Sequence, residues 1–477
     1  MNKISILILV VCVLVSLVIS FRPKRLLYVT TVFTLVIAGT AGYFFPSLKV
    51  LWWISYGQAA LLFFVVLFCR ARLRSATTVL YPTLSKIILV LLAVFILIAL
   101  FASIRANFPL KQTVFAGKSY FMMGGLVVFL ALYPLRGKTI ICWLKILFGI
   151  GLVQIFPVLY QYFFIRSWRI AQNINPRDAA DSVVGTFGGS QTAGGLGAVM
   201  AFYLIACLIM WLAFSKSRKF SWRKDGPILF LLWFPILFAE VKAAVIYLPL
   251  AVIILYREYS YQQPKRFVQI LLRLSAIVMF MVLSLEVLHY HSVSHKGNYL
   301  NHLKNAFSYS FKPLPKNFST SGKRKFSRIG ALQFWREKHG LNNPVVTLIG
   351  HGLGASRTQG RIKGHEALRW SGNKIDYSGL SALLWEVGLC GTAVFIAVII
   401  VMYLLAGRLS QHERLVGWQQ SLAAGLQAVM PLFLLSLPYR NDIPFAAPMM
   451  FAAMGCGGLI FWLNNQGAAK VAVVNRL

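Results

Sequence analysis

The sequence predicts an all-α polytopic membrane protein with about 12–13 transmembrane segments and one large, partly helical extramembrane loop. Three observations predict it. First, 58% of the 477 residues are hydrophobic and only 13% are charged, about half the charge of an ordinary soluble domain. Second, apolar runs recur near 4–21, 27–46, 50–69, 86–104, 119–134, 139–165, 193–214, 228–256, 268–288, 379–406, 421–437 and 444–463. Many are long enough to cross a hydrocarbon core of roughly 30 Å. Third, the short breaks between them carry arginine and lysine, as loops on the cytoplasmic side do. Lipid offers backbone groups no partners, so spans of this kind are helices.

The first run is preceded by Lys3 alone, is followed by Arg22-Pro23-Lys24-Arg25, and has no small-residue cleavage site. It reads as a retained span with its N-terminus outside. The eighth run has Glu240 and Lys242 at its centre, and is either one tilted span or two shorter segments that turn at 239–243. Loop charge decides between these. A turn places 22–25, 70–74, 136–138, 215–224 and the basic residues of 407–414 all on the cytoplasmic side, as the positive-inside bias requires. The twelve runs then make thirteen segments, with the C-terminus inside.

The chain accordingly divides into N-terminal helices (1–165), a first outer loop and central helices with a re-entrant turn near 239–244 (166–288), a large basic outer loop (289–378) and C-terminal helices (379–477). Within the large loop, 301–312 suits an interfacial amphipathic helix, and 327–339 has the pattern of a second helix. All six cysteines lie in or beside apolar runs, so no disulfide framework is expected.

The 48 basic residues against 12 acidic ones do not form the basic patch on a soluble domain that marks a nucleic-acid binder. Short basic loops and attraction to anionic lipid account for part of the excess. The outer loop is different. Residues 289–378 hold fifteen Lys and Arg against Glu337, Glu366 and Asp376, with seven of the eight histidines. Such an excess where positive charge is normally sparse calls for an anionic partner, by default a phosphate or pyrophosphate group. The plain structural reading is a loop that adheres to anionic lipid.

Two glycine-rich runs lead into helices: 183–197, with Ser190 or Thr192 as N-cap, and the segment from Asp376, with Asp376 or Ser378 as N-cap. Two helix N-termini at the outer face would make an oxyanion site; ordinary capping and close helix packing is the plainer reading. Carboxylates on the outer side or within the membrane are few: Asp178, Asp181, Glu240, Glu286, Glu337, Glu366, Asp376, Glu386 and Asp442. Glu386 lies roughly 12 Å along the helix axis from Ser378. A carboxylate that deep is either functional or paired with a cation on another helix. Gly350-His351-Gly352-Leu353-Gly354 lacks the strand and crossover of a nucleotide loop. The histidines of 289–295 lack a nearby cysteine or carboxylate to complete a structural metal site, so no metal and no cofactor is assigned.

An ordered set of elements resembles the O-antigen ligase and Wzy-type polymerase superfamily of bacterial envelope glycosyltransferases. They are Gly-Thr-Phe-Gly-Gly-Ser-Gln-Thr-Ala-Gly-Gly-Leu-Gly (185–197), Ala-Glu-Val-Lys-Ala-Ala (239–244), Arg328 with Trp335, 344–356 with Pro344 and the 350–354 glycines, and 378–395 around Glu386, which is similar to the family's L-x-x-L-x-E-x-G-L-x-G segment. They cover 185–395 in the family's order. Gly189-Ser190-Gln191 stands where the family has Asn-Pro-Asn, Val241-Lys242 where Ser-Arg is common, and Asp376-Tyr377 where a histidine is expected.

The resemblance implies a polymerase that joins undecaprenyl-pyrophosphate-linked repeat units at the periplasmic face of the bacterial inner membrane, with a chain-length regulator protein as a further partner. A ligase or protein O-oligosaccharyltransferase differs only in acceptor, and a lipid-linked oligosaccharide flippase is the alternative from another class. Jointly with the charges it implies a catalytic set of Asp376 as base, Glu386 beneath it and Arg328. The pyrophosphate and glycan would then meet Lys242, Arg357, Arg361, Ser190, Gln191, His351 and Ser378.

Overall fold

The structure is a computed structural model that describes residues 3–68, 79–107, 109–172, 174, 179–191, 194–218, 221–292, 327–340, 343–358, 362–371 and 373–466. The expected helix at 301–312, His295 and Arg361 lie outside the described residues. Among the described residues ten helices are long and apolar enough to cross a membrane: Pro23–Phe44, Pro46–Phe68, Pro82–Arg105, Leu110–Leu132, Gly137–Ala171, Gly197–Lys216, Pro264–Ser284, Gly379–Ser410, Gly417–Tyr439 and Ala447–Asn464. Two shorter apolar helices, Ser5–Ser20 and Ala244–Leu255, join them. The protein is therefore an all-α polytopic membrane protein. Among the described residues its one sheet is the hairpin that pairs Gly189–Ser190 with Gly194–Gly195.

Proline explains several helix starts. Pro23, Pro46, Pro82 and Pro264 each stand at the first helical position, where the missing N–H removes nothing from the ladder. The eighth run does turn. Trp222–Phe238 and Ala244–Leu255 are separate helices joined through Glu240, whose φ is +49°.

The loops sort to two ends. At one end, Arg166 pairs with Glu240 at 2.6 Å, Tyr43 donates to the Ser182 carbonyl, Gln112 donates to the Leu353 carbonyl and the Gly379 N–H donates to the Arg440 carbonyl. Both loops expected on the outer side therefore meet there, over the 239–243 turn. At the other end the Leu80 N–H donates to the Asn464 carbonyl, Trp462 to the Leu135 carbonyl and Tyr81 to the Arg408 carbonyl, while Lys216 pairs with Glu258 at 3.0 Å. Short basic loops gather at this second end. Between the ends, Trp143, Phe129, Leu126, Leu130, Phe202 and Phe433 belong to one continuous apolar core.

The Gly379–Ser410 helix is broken at Gly388, where φ is +64° and ψ −166°. Its first half starts at Ser378, whose hydroxyl accepts the Ser381 N–H at 3.2 Å. Breaking a helix in a membrane leaves carbonyls without partners, which must be satisfied by protein. Here the Trp385 and Glu386 carbonyls accept the N–H groups of His351 and Gly352, each at 2.9 Å, and the Leu384 carbonyl accepts Trp335 Nε1 at 3.1 Å. The fit leaves no space. A Cβ at Gly350 would lie 2.5 Å from the Glu386 carbonyl, and one at Gly388 would lie 2.4 Å from the Leu348 oxygen.

Gly388→Ala should therefore lower thermal stability in detergent, by about 1–3 kcal/mol from backbone strain alone. Gly417→Ala, which meets nothing within 4 Å, should leave it unchanged. Equal melting temperatures for the two variants would contradict this account of the break.

Candidate functional site

The seal of the broken helix continues into Ala355, Ser356, Arg357 and Thr358, and these residues place the site. Glu386, fully buried at the lower edge of the break, accepts from Ser356 Oγ at 2.7 Å, from Tyr120 Oη at 2.9 Å and from the Gly354 N–H. Asp376, 2% exposed, accepts from the Thr358 N–H at 3.1 Å and from the Thr358 hydroxyl. The two carboxylates thus hold the residues on either side of Arg357. Burial pushes the Asp376 carboxyl above its usual range, while Thr358 and Lys374 pull it back.

Arg357 lies over the Phe445 ring at 5.5 Å, and its buried Nη1 has no hydrogen-bond partner. It comes within electrostatic reach of Lys118. Lys118 stands in a π-helical turn, Lys118–Met122, a distortion that often marks functional sites. The turn aims its Nζ at Trp53, Tyr56 and Phe115, 3.8, 4.9 and 5.5 Å from their ring centroids. Aromatic faces replace part of the lost hydration, worth about 0.5–2 kcal/mol each. Among the described residues neither Lys118 nor Arg357 forms an ion pair with a carboxylate. Two cations side by side, Lys118 buried and Arg357 half-buried, with Glu386 within electrostatic reach of Arg357 but in no ion pair with it, make a site that can take a further anion.

Beyond Phe445 a second group of charges borders this pair. Arg440 pairs with Asp442 at 3.1 Å and reaches the Gly195 carbonyl at 3.5 Å. Arg328 opens the Arg328–His339 helix, donates through Nε to the Tyr439 carbonyl at 2.6 Å and stacks over the Tyr439 ring at 4.2 Å. Gly188 packs on the ring of Trp52, where a Cβ would lie 3.0 Å away.

A third group lies above the seal. His351 Nε2 is 2.6 Å from His339 Nε2, its ring stacks on Trp385, and its Nδ1 is 3.4 Å from Glu366. Burial, then the neighbouring imidazoles, Arg105 and Arg369, push His351 down to about 3. Burial lowers His339 and His365 as well.

The structure brings Arg328, Arg357, Asp376, Glu386, His351 and Ser378 to one end, around the broken helix. Several expected roles change. Ser190 is not an N-cap: it lies in the 189–195 hairpin, with Gln191 in its turn, and the following helix begins at Gly197. At the other helix start the Gly379 N–H is taken by Arg440 and the Ser381 N–H by Ser378, so paired helix termini do not supply an oxyanion site. Lys242 lies in the 239–243 turn beside Glu240, which is engaged by Arg166. Glu386 is held by hydroxyls, not by a cation on another helix. Sequence reasoning missed Lys118, Tyr120, Ser356 and Arg440. Lys118 sits at the edge of an apolar run, where a lysine is ordinary, and nothing in its spacing marks it. No family model matches the chain, and no curated protein sequence matches it.

A raised Asp376 carboxyl means that the folded state holds its proton more tightly than the unfolded chain. Its contribution is then most favourable below its ordinary value of 3.8 and is lost as pH rises through the higher folded value. The melting temperature of the wild type relative to Asp376→Asn should fall as pH rises above the ordinary value of 3.8. A difference that is flat in pH would show that folding does not shift Asp376, and one that rises would show a shift of the opposite sign.

Proposed function

We propose that this chain is a membrane glycosyltransferase that joins undecaprenyl-pyrophosphate-linked oligosaccharide repeat units into a surface polysaccharide, at the periplasmic face of the bacterial inner membrane. One observation carries the reading. Arg357 and Lys118 share an aromatic-walled site at the end where both loops expected outside converge, and among the described residues neither forms an ion pair with a carboxylate. A diphosphate has the charge and the paired oxygens that an arginine fork and a lysine point charge bind. The ordered elements of 185–395 that resemble the O-antigen ligase and polymerase superfamily all fall on this end or on the turns that build it.

In the reaction the acceptor hydroxyl attacks the anomeric carbon, and the bond to the lipid diphosphate breaks with its electron pair going to the leaving oxygen. Arg357 and Lys118 stabilise that charge as it develops, and a fixed cation out of water does so without reorganisation. Arg328, at the rim, meets the same group from the other side of the 440–446 segment. Asp376 and Glu386 keep Arg357 aimed through Thr358 and Ser356. Proton removal from the hydroxyl falls to Asp376 only when Thr358 releases one of its oxygens.

The test is the purified protein in proteoliposomes with a lipid-pyrophosphate glycan. Release of lipid diphosphate with a ladder of products is expected. Arg357→Ala should slow release roughly 100- to 1,000-fold while the protein stays monodisperse, and Arg357→Lys should restore part of it. Single transfer without a ladder would make the enzyme a ligase; glycan crossing the bilayer with no diphosphate released would make it a transporter. In cells, an impermeant thiol reagent should label a cysteine placed at Ser371 and spare one at Gln411, and the reverse pattern would turn the site to the cytosol.

A further inference from the structure

The histidine group above the seal has hydrogen bonds that fix where each ring carries its proton. His339 Nδ1 is 2.9 Å from the Trp335 carbonyl, which can only accept, so Nδ1 is the N–H and Nε2 is bare. His351 Nε2, 2.6 Å away, must then donate to it, which leaves His351 Nδ1 as a bare lone pair. Gln112 settles His365 in the same way. Its Nε2 donates to the Leu353 carbonyl at 2.9 Å, so its Oε1 faces His365 and accepts from the His365 N–H at 3.0 Å and from Nδ1 at 3.1 Å. His365 Nε2 is therefore bare as well.

Both lone pairs point at one carboxylate oxygen. Glu366 Oε1 lies 3.4 Å from His351 Nδ1 and 4.0 Å from His365 Nε2, and one donor atom of each residue falls within 4.8 Å of the other two. The other oxygen, Oε2, accepts from Trp370 Nε1 at 3.0 Å. Two lone pairs facing an anion with no proton between them repel one another, unless a cation sits among them.

We propose that His351 Nδ1, His365 Nε2 and Glu366 Oε1 bind a zinc-type divalent cation. Two imidazoles and one carboxylate are a common zinc donor set that keeps one position open. Zinc–ligand distances of about 2.0–2.2 Å put tetrahedral ligands roughly 3.3–3.5 Å apart, which the His351–Glu366 pair already meets. His365, whose side chain is 38% exposed, closes the remaining gap and leaves the open position toward solvent. Each ligand is oriented from behind: His351 by His339, His365 by Gln112, and Glu366 by Trp370. This is the outer arrangement that metal-binding histidines and carboxylates use. Arg369 touches the same oxygen at 3.6 Å, but its side chain is 66% exposed and can swing into water. The ion would tie the His365–Arg369 helix to the 350–354 loop, and so brace the seal over Glu386.

The full-length protein, purified in detergent and stripped with a chelator, is titrated with zinc chloride, and bound metal is counted by mass spectrometry. One equivalent per chain is expected, and Co²⁺ in its place should give the visible absorption of a tetrahedral nitrogen and oxygen site. His365→Ala and Glu366→Gln should lose the equivalent. Gln112→Leu, which keeps all three ligands, should weaken binding about 10- to 100-fold. His412→Ala, at the opposite end, should bind as the wild type does. Wild-type protein that retains no zinc above buffer, or a monodisperse His365→Ala that keeps the full equivalent, overturns the site; the first needs no variant to fold. Neither readout involves glycan, so the outcome is separate from that of the transferase assay.

Discussion

The structure depends on one exchange of backbone hydrogen bonds. Gly388 interrupts a membrane helix, and the carbonyls released there are taken by the N–H groups of His351 and Gly352. Left without partners in lipid, each would cost several kcal/mol, so the break and the 350–354 loop form together or not at all. Gly350 and Gly388 are needed for contact distance as much as for dihedral angle. The 350–354 loop is thereby drawn into the bundle, and the chain that follows it, Ser356 to Thr358, arrives beside Lys118 and Tyr120.

That delivery changes what the two nominated carboxylates do. Glu386 and Asp376 are the acids that a search for a catalytic base finds first, because one is deep in a span and the other opens it. Each instead receives a hydroxyl from a neighbour of Arg357 in the chain. An arginine held from both sides loses little rotamer freedom when it meets an anion, and an aimed cation outweighs a mobile one in a low-dielectric site. The buried acids thus support the cation electrostatically and mechanically without forming an ion pair with it.

Much of this was legible in the sequence, and the divide follows physical range. The spans, the turn at 239–243 and the 327–339 helix come from local periodicity, proline and charge, and they appear where those signals put them. Ser378 as a cap is likewise local. The burial of Glu386 could be read, but not its partners, since Tyr120 comes from a helix far away in the chain and Ser356 from a loop. Ser190 failed as a cap because glycine-rich sequence suits a tight hairpin as well as a helix start, and pairing with Gly194 and Gly195 decided between them. Lys118 carried no signal, because its role comes from a π-turn and from three rings on neighbouring segments. The His351, His365 and Glu366 cluster was hidden for the same reason: the histidines with ligand-like spacing are those of 289–295, whereas the converging ones are apart in sequence.

The distribution of charge along the bundle also favours group transfer over passage. Arg357, Lys118, Arg328 and Arg440 belong to one end. At the other, Asp225 is taken by Arg218 and Glu258 by Lys216. Between them lies the core of Trp143, Phe129, Leu130 and Phe433, each nearly or fully buried. A carrier of a diphosphate needs the anion to meet successive polar groups across the membrane, because a charge at the bilayer centre costs several kcal/mol even after relaxation. Among the described residues no such ladder of cations continues below Glu386, whose side chain is closed off by Tyr120 and Ser356. On the function proposed above, a diphosphate held at Arg357 would stay at the end it entered, as group transfer at a one-sided site requires.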